Sequence, residues 1–328
     1  MHKTRVILTV DTEPSIAGAM ENLARFSPLL DEPVWGEVNG RSEALGFITR
    51  TLNEYNLQAT FFVETAHTYH FGPGPMQRYT DHLCSMNQDI QLHIHPVWQN
   101  FRPPISTIQR YFDASRDLER GELKTLIQEG CDQIQSWTGV RPVAMRTGNF
   151  SASTMVYEVM SEAGLQLASN ICIACADYPE PPLQHPGGVH LIGGIHELPA
   201  TCFTDPGPVG RGGYRSAQIT ACSTAELIHL LDQCSAARVD TIVLVTHPFE
   251  FIKKADFRYR ALRPNRIVQR RLERLCHFLT HNSERFQVCT FGDLAELLPL
   301  PEEAAPSLHS SVAKSLYRSA QNLINDRI

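Results

Sequence analysis

The chain has 328 residues, 42% of them hydrophobic, enough for one large α/β domain or two ordinary ones with a sizeable core. A formal net charge of -6 gives no electrostatic reason to expect a nucleic-acid partner. The longest apolar runs, such as TIVLVT, are too short to span a bilayer, and MHKTRVILTVDTE lacks the long apolar region of a secretory leader, so the expected location is the cytoplasm.

Residues 5–11 read as a strand, followed by a polar, Pro-containing segment over 14–40. Leu45, Ile48, Leu52 and Tyr55 recur at helical spacing within 41–56, with Ser42 as a cap near the start. LQATFFVE (57–64) is rich in β-favouring residues. Met76, Tyr79, Leu83 and Met86 mark a second helix, and residues 89–93 a third strand. The stretch 96–116 shows no periodicity and reads as a loop. Leu123 to Trp137 then mark a long helix that ends near Gly139.

RPVAMR (141–146) reads as a strand. Ser151 or Ser153 caps a helix that Gly164 closes. LQLAS (165–169) is a short strand, and at least one more ends near 196–199. Residues 204–215, rich in Gly and Pro, read as a loop. Thr224 caps a helix through Cys234, and the strand 241–246 follows. Pro264 is expected to open the next helix from its favoured first position. FQVCT (286–290) is the last strand, with a short helix over 293–298. The β-then-α repetition, with no Gly-rich phosphate turn after the first strand, predicts a mostly parallel sheet closed into a barrel. This barrel is expected over 1–300. Residues 301–328 read as a linker and an amphipathic helix, with Val312, Leu316, Ala320, Leu323 and Ile324 on one face.

The nine cysteines are an odd number scattered through strands and helices, and read as reduced core residues. Cys172 and Cys175 form one CxxC. No second CxxC completes a zinc site, and the pair sits in a strand-like run where a redox motif would open a helix.

Three motifs carry chemistry: VILTVDTE, DIQLHIHPVW and TIVLVTHPFE. Each is an apolar strand that finishes in Asp, Glu or His, and in parallel barrels such strand ends gather at one mouth. Asp11 and Glu13 are two residues apart, as are His93 and His95, so each pair can share one side of its strand. His247 ends the most apolar strand. Arg146 lies at the end of another, beside Asn149 and Phe150, and His196 ends one more. Two carboxylates and three imidazoles suit a divalent metal with a general base and acid beside it.

In order and content these motifs resemble the polysaccharide deacetylase (NodB-homology) family of metal-dependent carbohydrate esterases, especially its WalW-like divergent members. LTVDTE is similar to the family's Thr-Phe-Asp-Asp motif, LHIHP to its histidine motif, RTGNF to its Arg-x-Pro-Tyr motif and LVTHP to its last motif. The resemblance covers roughly residues 5–298. It implies a distorted (β/α) barrel of about seven parallel strands that removes N- or O-acetyl groups from a sugar, glycan or glycan precursor. Asp11 would be the base, His247 the acid, and Arg146 the partner of Asp11. One divalent ion, with zinc expected ahead of cobalt, nickel, iron or manganese, would be held by His93, His95 and Glu13. The family's second Asp is Thr12 here, and His95 stands two residues after His93 where the family spacing is four. Trp98, Asn149, Phe150 and His196 would meet the substrate. Two alternatives are an amidohydrolase of the same fold acting on a non-sugar C–N bond, and a non-catalytic carbohydrate-binding relic. The C-terminal helix is expected to bury its apolar face on the barrel or in a homodimer.

Overall fold

The computed structural model describes residues 2–102, 112–207 and 212–327. Parts of the two expected loops, 103–111 and 208–211, lie outside the described residues. One nine-stranded sheet organises the molecule. Its strands are β1 (Thr4–Thr12), β2 (Thr60–Glu64), β3 (Asp89–Ile94), β4 (Ala144–Thr147), β5 (Leu167–Ala168), β6 (His190–Ile192), β7 (Ile195–Glu197), β8 (Thr241–Thr246) and β9 (Phe286–Val288). The path runs β8-β1-β2-β3-β4-β5-β7-β6, and β9 adds to the first residues of β1. Every pairing is parallel except β6 with β7. That antiparallel pair raises the strand number above the expected seven.

The sheet is a curled half-barrel. Irregular chain bridges its open side: Leu198 N–H donates to Ala168 O at 2.8 Å, Thr201 N–H to Val243 O at 3.1 Å and Ile219 N–H to Val245 O at 3.1 Å. Among the described residues seven longer helices accompany it: α1 (Leu45–Glu54), α2 (Gly74–Ser85), α3 (Arg120–Thr138), α4 (Thr154–Glu162), α5 (Thr224–Ala237), α6 (Arg266–His281) and α7 (Val312–Arg327).

The two-residue period of a strand decides what faces where. In β1, Val6, Leu8 and Val10 pack outward in the large core shared with the helices, while Ile7 belongs to a second core inside the barrel. Thr9, Asp11 and Glu13 continue the inward row of Ile7. In β3, Leu92 and Ile94 pack outward, which leaves Gln91, His93 and His95 on the inner face. In β8, Ile242 and Leu244 pack outward and Val243 inward, so His247 continues the inner row. In β1 and β8 the inner row thus changes from apolar, at Ile7 and Val243, to polar at the strand end, whereas in β3 it is polar from Gln91 onward. The strands are buried throughout, as expected, but this inner-row change is hidden in the overall hydrophobicity.

Several boundaries differ from the sequence reading. Arg41 and Ser42 pair with Val38 and Glu37 in a small hairpin, and α1 begins at Leu45. Ser42 Oγ still accepts the Gly46 N–H at 2.8 Å. Ser223, one residue earlier than expected, caps α5 by accepting the Glu226 N–H at 3.2 Å. Pro264 does not open α6, because it pairs with Ile252 in an antiparallel bridge. The expected loop at 204–215 contains part of a hairpin, Cys202–Asp205 with Gly213–Ser216.

The C-terminal segment differs most. Its linker is fastened to the barrel: Glu303 and Val189 exchange backbone hydrogen bonds, and Leu308 is buried in the main core. α7 lies with its polar face inward. Arg318 is buried, its guanidinium 2.6 Å from Glu226 and 2.5 Å from Asp205. Val312, Leu316, Leu323 and Ile324 are each about half exposed, so the expectation that the apolar stripe packs on its own barrel is corrected. A buried charge cluster, which helical periodicity cannot reveal, sets the orientation. Among the described residues no helix is long and apolar enough to cross a membrane.

Candidate active site and metal centre

The ends of β1, β3, β4 and β8 bring Asp11, Glu13, His93, His95, Arg146 and His247 together. All but Arg146 line a pocket of about 280 Å³ with Thr147, Asn149, Phe150, Cys175, Ser216, Gln218 and Val245. Arg146 stands behind Asp11 and is wholly buried. It donates to Asp11 Oδ1 at 2.7 Å, Thr9 Oγ1 at 2.9 Å, Ser169 O at 3.0 Å and Ser169 Oγ at 2.7 Å. Its guanidinium also lies over the Phe62 ring, 4.5 Å from the centroid. This ties down one oxygen of Asp11. The other, Oδ2, faces His247 Nε2 at 3.7 Å.

On its far side, His247 Nδ1 lies 3.1 Å from Glu250. Glu250 also accepts from Thr246 Oγ1 at 2.7 Å, and from Gln218 and Thr220. Burial opposes charging of His247, but the Glu250 carboxylate and its hydrogen bond outweigh it, with Asp11 adding a smaller push. The imidazole pKa stands at about 9. Burial likewise opposes the Glu250 anion, yet the His247 charge holds that carboxyl below its ordinary range.

Glu13 meets both imidazoles of β3 and its exit. Its Oε2 lies 3.3 Å from His93 Nε2 and 2.6 Å from His95 Nε2. One ligand atom from each of the three falls within 4.8 Å of the others. Despite burial, the His95 charge and the bonds to both rings keep Glu13 ionised, well below its usual pKa. His95 Nδ1 in turn is 2.8 Å from Asp113, which also accepts from Val97 N–H at 3.2 Å and Asn149 Nδ2 at 2.8 Å. One carboxylate and two imidazoles, one of them fixed from behind by an outer carboxylate, form a donor set that fits a divalent ion with open positions.

The backbone accommodates this packing closely. A Cβ at Gly148 would overlap the His95 ring, so only glycine fits there. The next two residues, Asn149 and Phe150, hold φ of 55° and 51°, a left-handed conformation that costs non-glycine residues about 1–3 kcal/mol each. Behind His95, buried Glu64 accepts from the His95 and Ala66 N–H groups at 2.6 and 2.7 Å. Burial pushes its carboxyl pKa up to about 8.

Asp11, Glu13, His93, His95, Arg146, Asn149, Phe150 and His247 all stand where the motifs put them. Trp98 does not line this pocket. It is 1% exposed and packs against Phe71 and Phe101, because the turn after His95 folds it inward. His196 is also displaced, paired with Leu167 and Leu191 in the sheet away from the pocket. The sequence reading missed Glu250, which the HPFE motif places three residues after His247. It also missed Asp113, which sits in an aperiodic stretch and carries no sequence signal. Cys175 unexpectedly reaches the pocket, with its Sγ 2.9 Å from that of Cys172.

No family model matches the chain, and no curated protein matches it in sequence. Solved structures do match. A protein described as a candidate polysaccharide deacetylase from Mycobacterium smegmatis aligns over 91% of each chain at 15% identity, with a TM-score of 0.53. The two share a fold. A family 4 carbohydrate esterase from Streptomyces lividans, with acetate, aligns over 94% of this chain and 100% of its own at 11% identity and a TM-score of 0.44. Peptidoglycan deacetylase PdaC from Bacillus subtilis aligns over 99% and 97% at 15% identity and a TM-score of 0.41. The architecture is therefore the NodB-like (β/α) barrel, and the chemistry rests on the residues of this chain.

Proposed function

We propose that the protein is a metal-dependent hydrolase that removes acetyl groups from a sugar, glycan or glycan precursor. One observation carries the reading: a buried carboxylate with one oxygen fixed by Arg146 turns its other oxygen toward His247, in the pocket that also holds the Glu13, His93 and His95 cluster. The fold shared with the mycobacterial protein described as a candidate deacetylase, and the motif order, support a carbohydrate substrate over a non-sugar amide.

Glu13, His93 and His95 would hold the divalent ion, with zinc the first expectation from the imidazole-carboxylate donor set. A cation there supplies Lewis acidity that polarises the acyl group and acidifies water. Asp11, fixed by Arg146, takes the proton of the attacking water. Backbone N–H groups near Asn149 share the charge that develops on the acyl oxygen. His247, kept protonated at neutral pH by Glu250, donates its proton to the leaving nitrogen or oxygen. Thr12 replaces the family's second Asp, and Glu13 takes that role two residues after Asp11.

The test is acetate release from N-acetylated and O-acetylated oligosaccharides by protein reconstituted with zinc, beside a chelated control. Metal-dependent release is expected. Metal binding without release from any acetylated sugar would instead favour the non-catalytic relic. The compartment and a C-terminal-helix homodimer stand as further proposals. The half-exposed apolar face of α7 is the feature that supports the dimer.

A further inference from the structure

A second chamber opens on the other side of the metal ligands. It has a volume of about 310 Å³ and shares Glu13 and His95 with the catalytic pocket, so the two meet at the proposed cation. Its remaining walls include Ile16, Trp98, Phe249 and Tyr259. Phe249 stacks on His247, with ring centroids 4.8 Å apart, and so stands between the chamber and the proposed acid. Tyr259 is buried with φ at 56°, a left-handed backbone that a tyrosine adopts only at a cost. Strain of this kind collects where a side chain must be held in place for a ligand.

The charges in the chamber are unequally matched. Glu13 is engaged by both imidazoles, and Asp113 by His95, Val97 N–H and Asn149. Lys254 is different. Its ammonium lies 3.6 Å from the centroid of the Tyr259 ring and, among the described residues, makes no hydrogen bond or ion pair. The nearby Asp256 is occupied by Arg260. Among the described residues Lys254 is therefore the lining cation that makes no ion pair. It sits over an aromatic wall and beside a pocket read as an acetyl-sugar site.

We infer that this chamber is a subsite for a carboxylate-bearing sugar ring joined to the acetylated one. The aromatic and aliphatic walls cover the ring faces, and Lys254 meets the carboxylate. The inference rests on the sugar-deacetylase reading and adds a substrate class to it: an acidic, at least disaccharide, glycan.

The experiment compares two disaccharides of N-acetylglucosamine, one linked to glucuronic acid and one to glucose, which differ by a carboxylate in place of a hydroxymethyl group. Binding to the full-length, zinc-loaded Asp11→Asn protein is measured by calorimetry, so that no turnover intervenes. The acidic disaccharide is expected to bind about five-fold more tightly, the size of a partly exposed ion pair. In the added background of Lys254→Met the ratio should fall to about one, and Lys254→Arg should restore it. Equal affinity in the starting protein, a ratio indifferent to Lys254→Met, or binding of neither sugar would each overturn the inference. Acetate release by the unsubstituted enzyme separates this from the parent reading. Equal release from both sugars with equal affinities would remove only the acidic subsite. Lys254-dependent binding without release from any acetylated sugar would remove only the hydrolase.

Discussion

Among the described residues two buried arginines, Arg146 and Arg318, face carboxylates, and they do different things. Arg318, on α7, faces both Glu226 and Asp205 and also donates to Ser315. It lines no part of the pocket that holds Asp11 and His247. Arg146, inside the barrel, has one carboxylate partner and binds only Oδ1 of it. The second oxygen of Asp11 is left facing an imidazole across a cavity. A buried ion pair is therefore no mark of chemistry by itself. What distinguishes Arg146 is that its partner turns one oxygen toward His247 in an open pocket.

Neutralising the two carboxylates should break this symmetry most sharply. Asp11→Asn removes the proposed base and should lower acetate release by about 10²–10⁴-fold, as loss of a positioned proton acceptor does. Asp205→Asn should leave turnover per folded molecule within about two-fold, because it lies outside the pocket. Equal losses in both would erase the distinction. The proposed metal ligands give the next effect. Equilibrium dialysis against zinc should show one ion per chain in the unsubstituted protein and almost none in His93→Ala/His95→Ala, with the circular dichroism spectrum preserved. Full zinc retention in that double variant would reject the assignment.

Stability should sort the arginines the other way. Arg318→Met leaves the wholly buried Glu226 without its cation, and removal of one partner of a buried pair costs about 3–5 kcal/mol. Urea unfolding should show that loss, while the pH profile of the remaining activity stays in place. Deletion of residues 306–328 should do at least as much harm, since it also removes Leu308 from the core. A truncated chain with unchanged unfolding would show that α7 is dispensable to the barrel.

Much of the fold, and which strand ends would meet at one pocket, could be read before the structure. The apolar strands announced themselves, and their polar ends carry the residues proposed for the chemistry. The period-two relations of Asp11 with Glu13 and of His93 with His95 put each pair on the inner face. Residues set by tertiary contact alone were not legible. Asp113 reaches His95 from an aperiodic stretch, and Trp98 turns into the core at a bend that has no pattern of its own. His196 failed for a different reason: a polar strand end looks alike whether it opens on a pocket or on a sheet edge. α7 failed because its apolar stripe dominated the pattern, while the residue that anchors it is an arginine.

The proton inventory at His247 tests the central claim most directly. The Glu250 carboxylate raises that imidazole to about 9, so it is a competent acid below that pH and loses its proton above it. The pH dependence of kcat/KM for acetate release by the zinc-loaded enzyme should therefore fall on its alkaline side near pH 9. In Glu250→Gln, which removes the charge that supports the imidazolium, the same limb should move toward the ordinary histidine range near about 6.5. An alkaline limb that stays put in Glu250→Gln, or activity that persists unchanged through pH 10, would contradict His247 as the acid of this site.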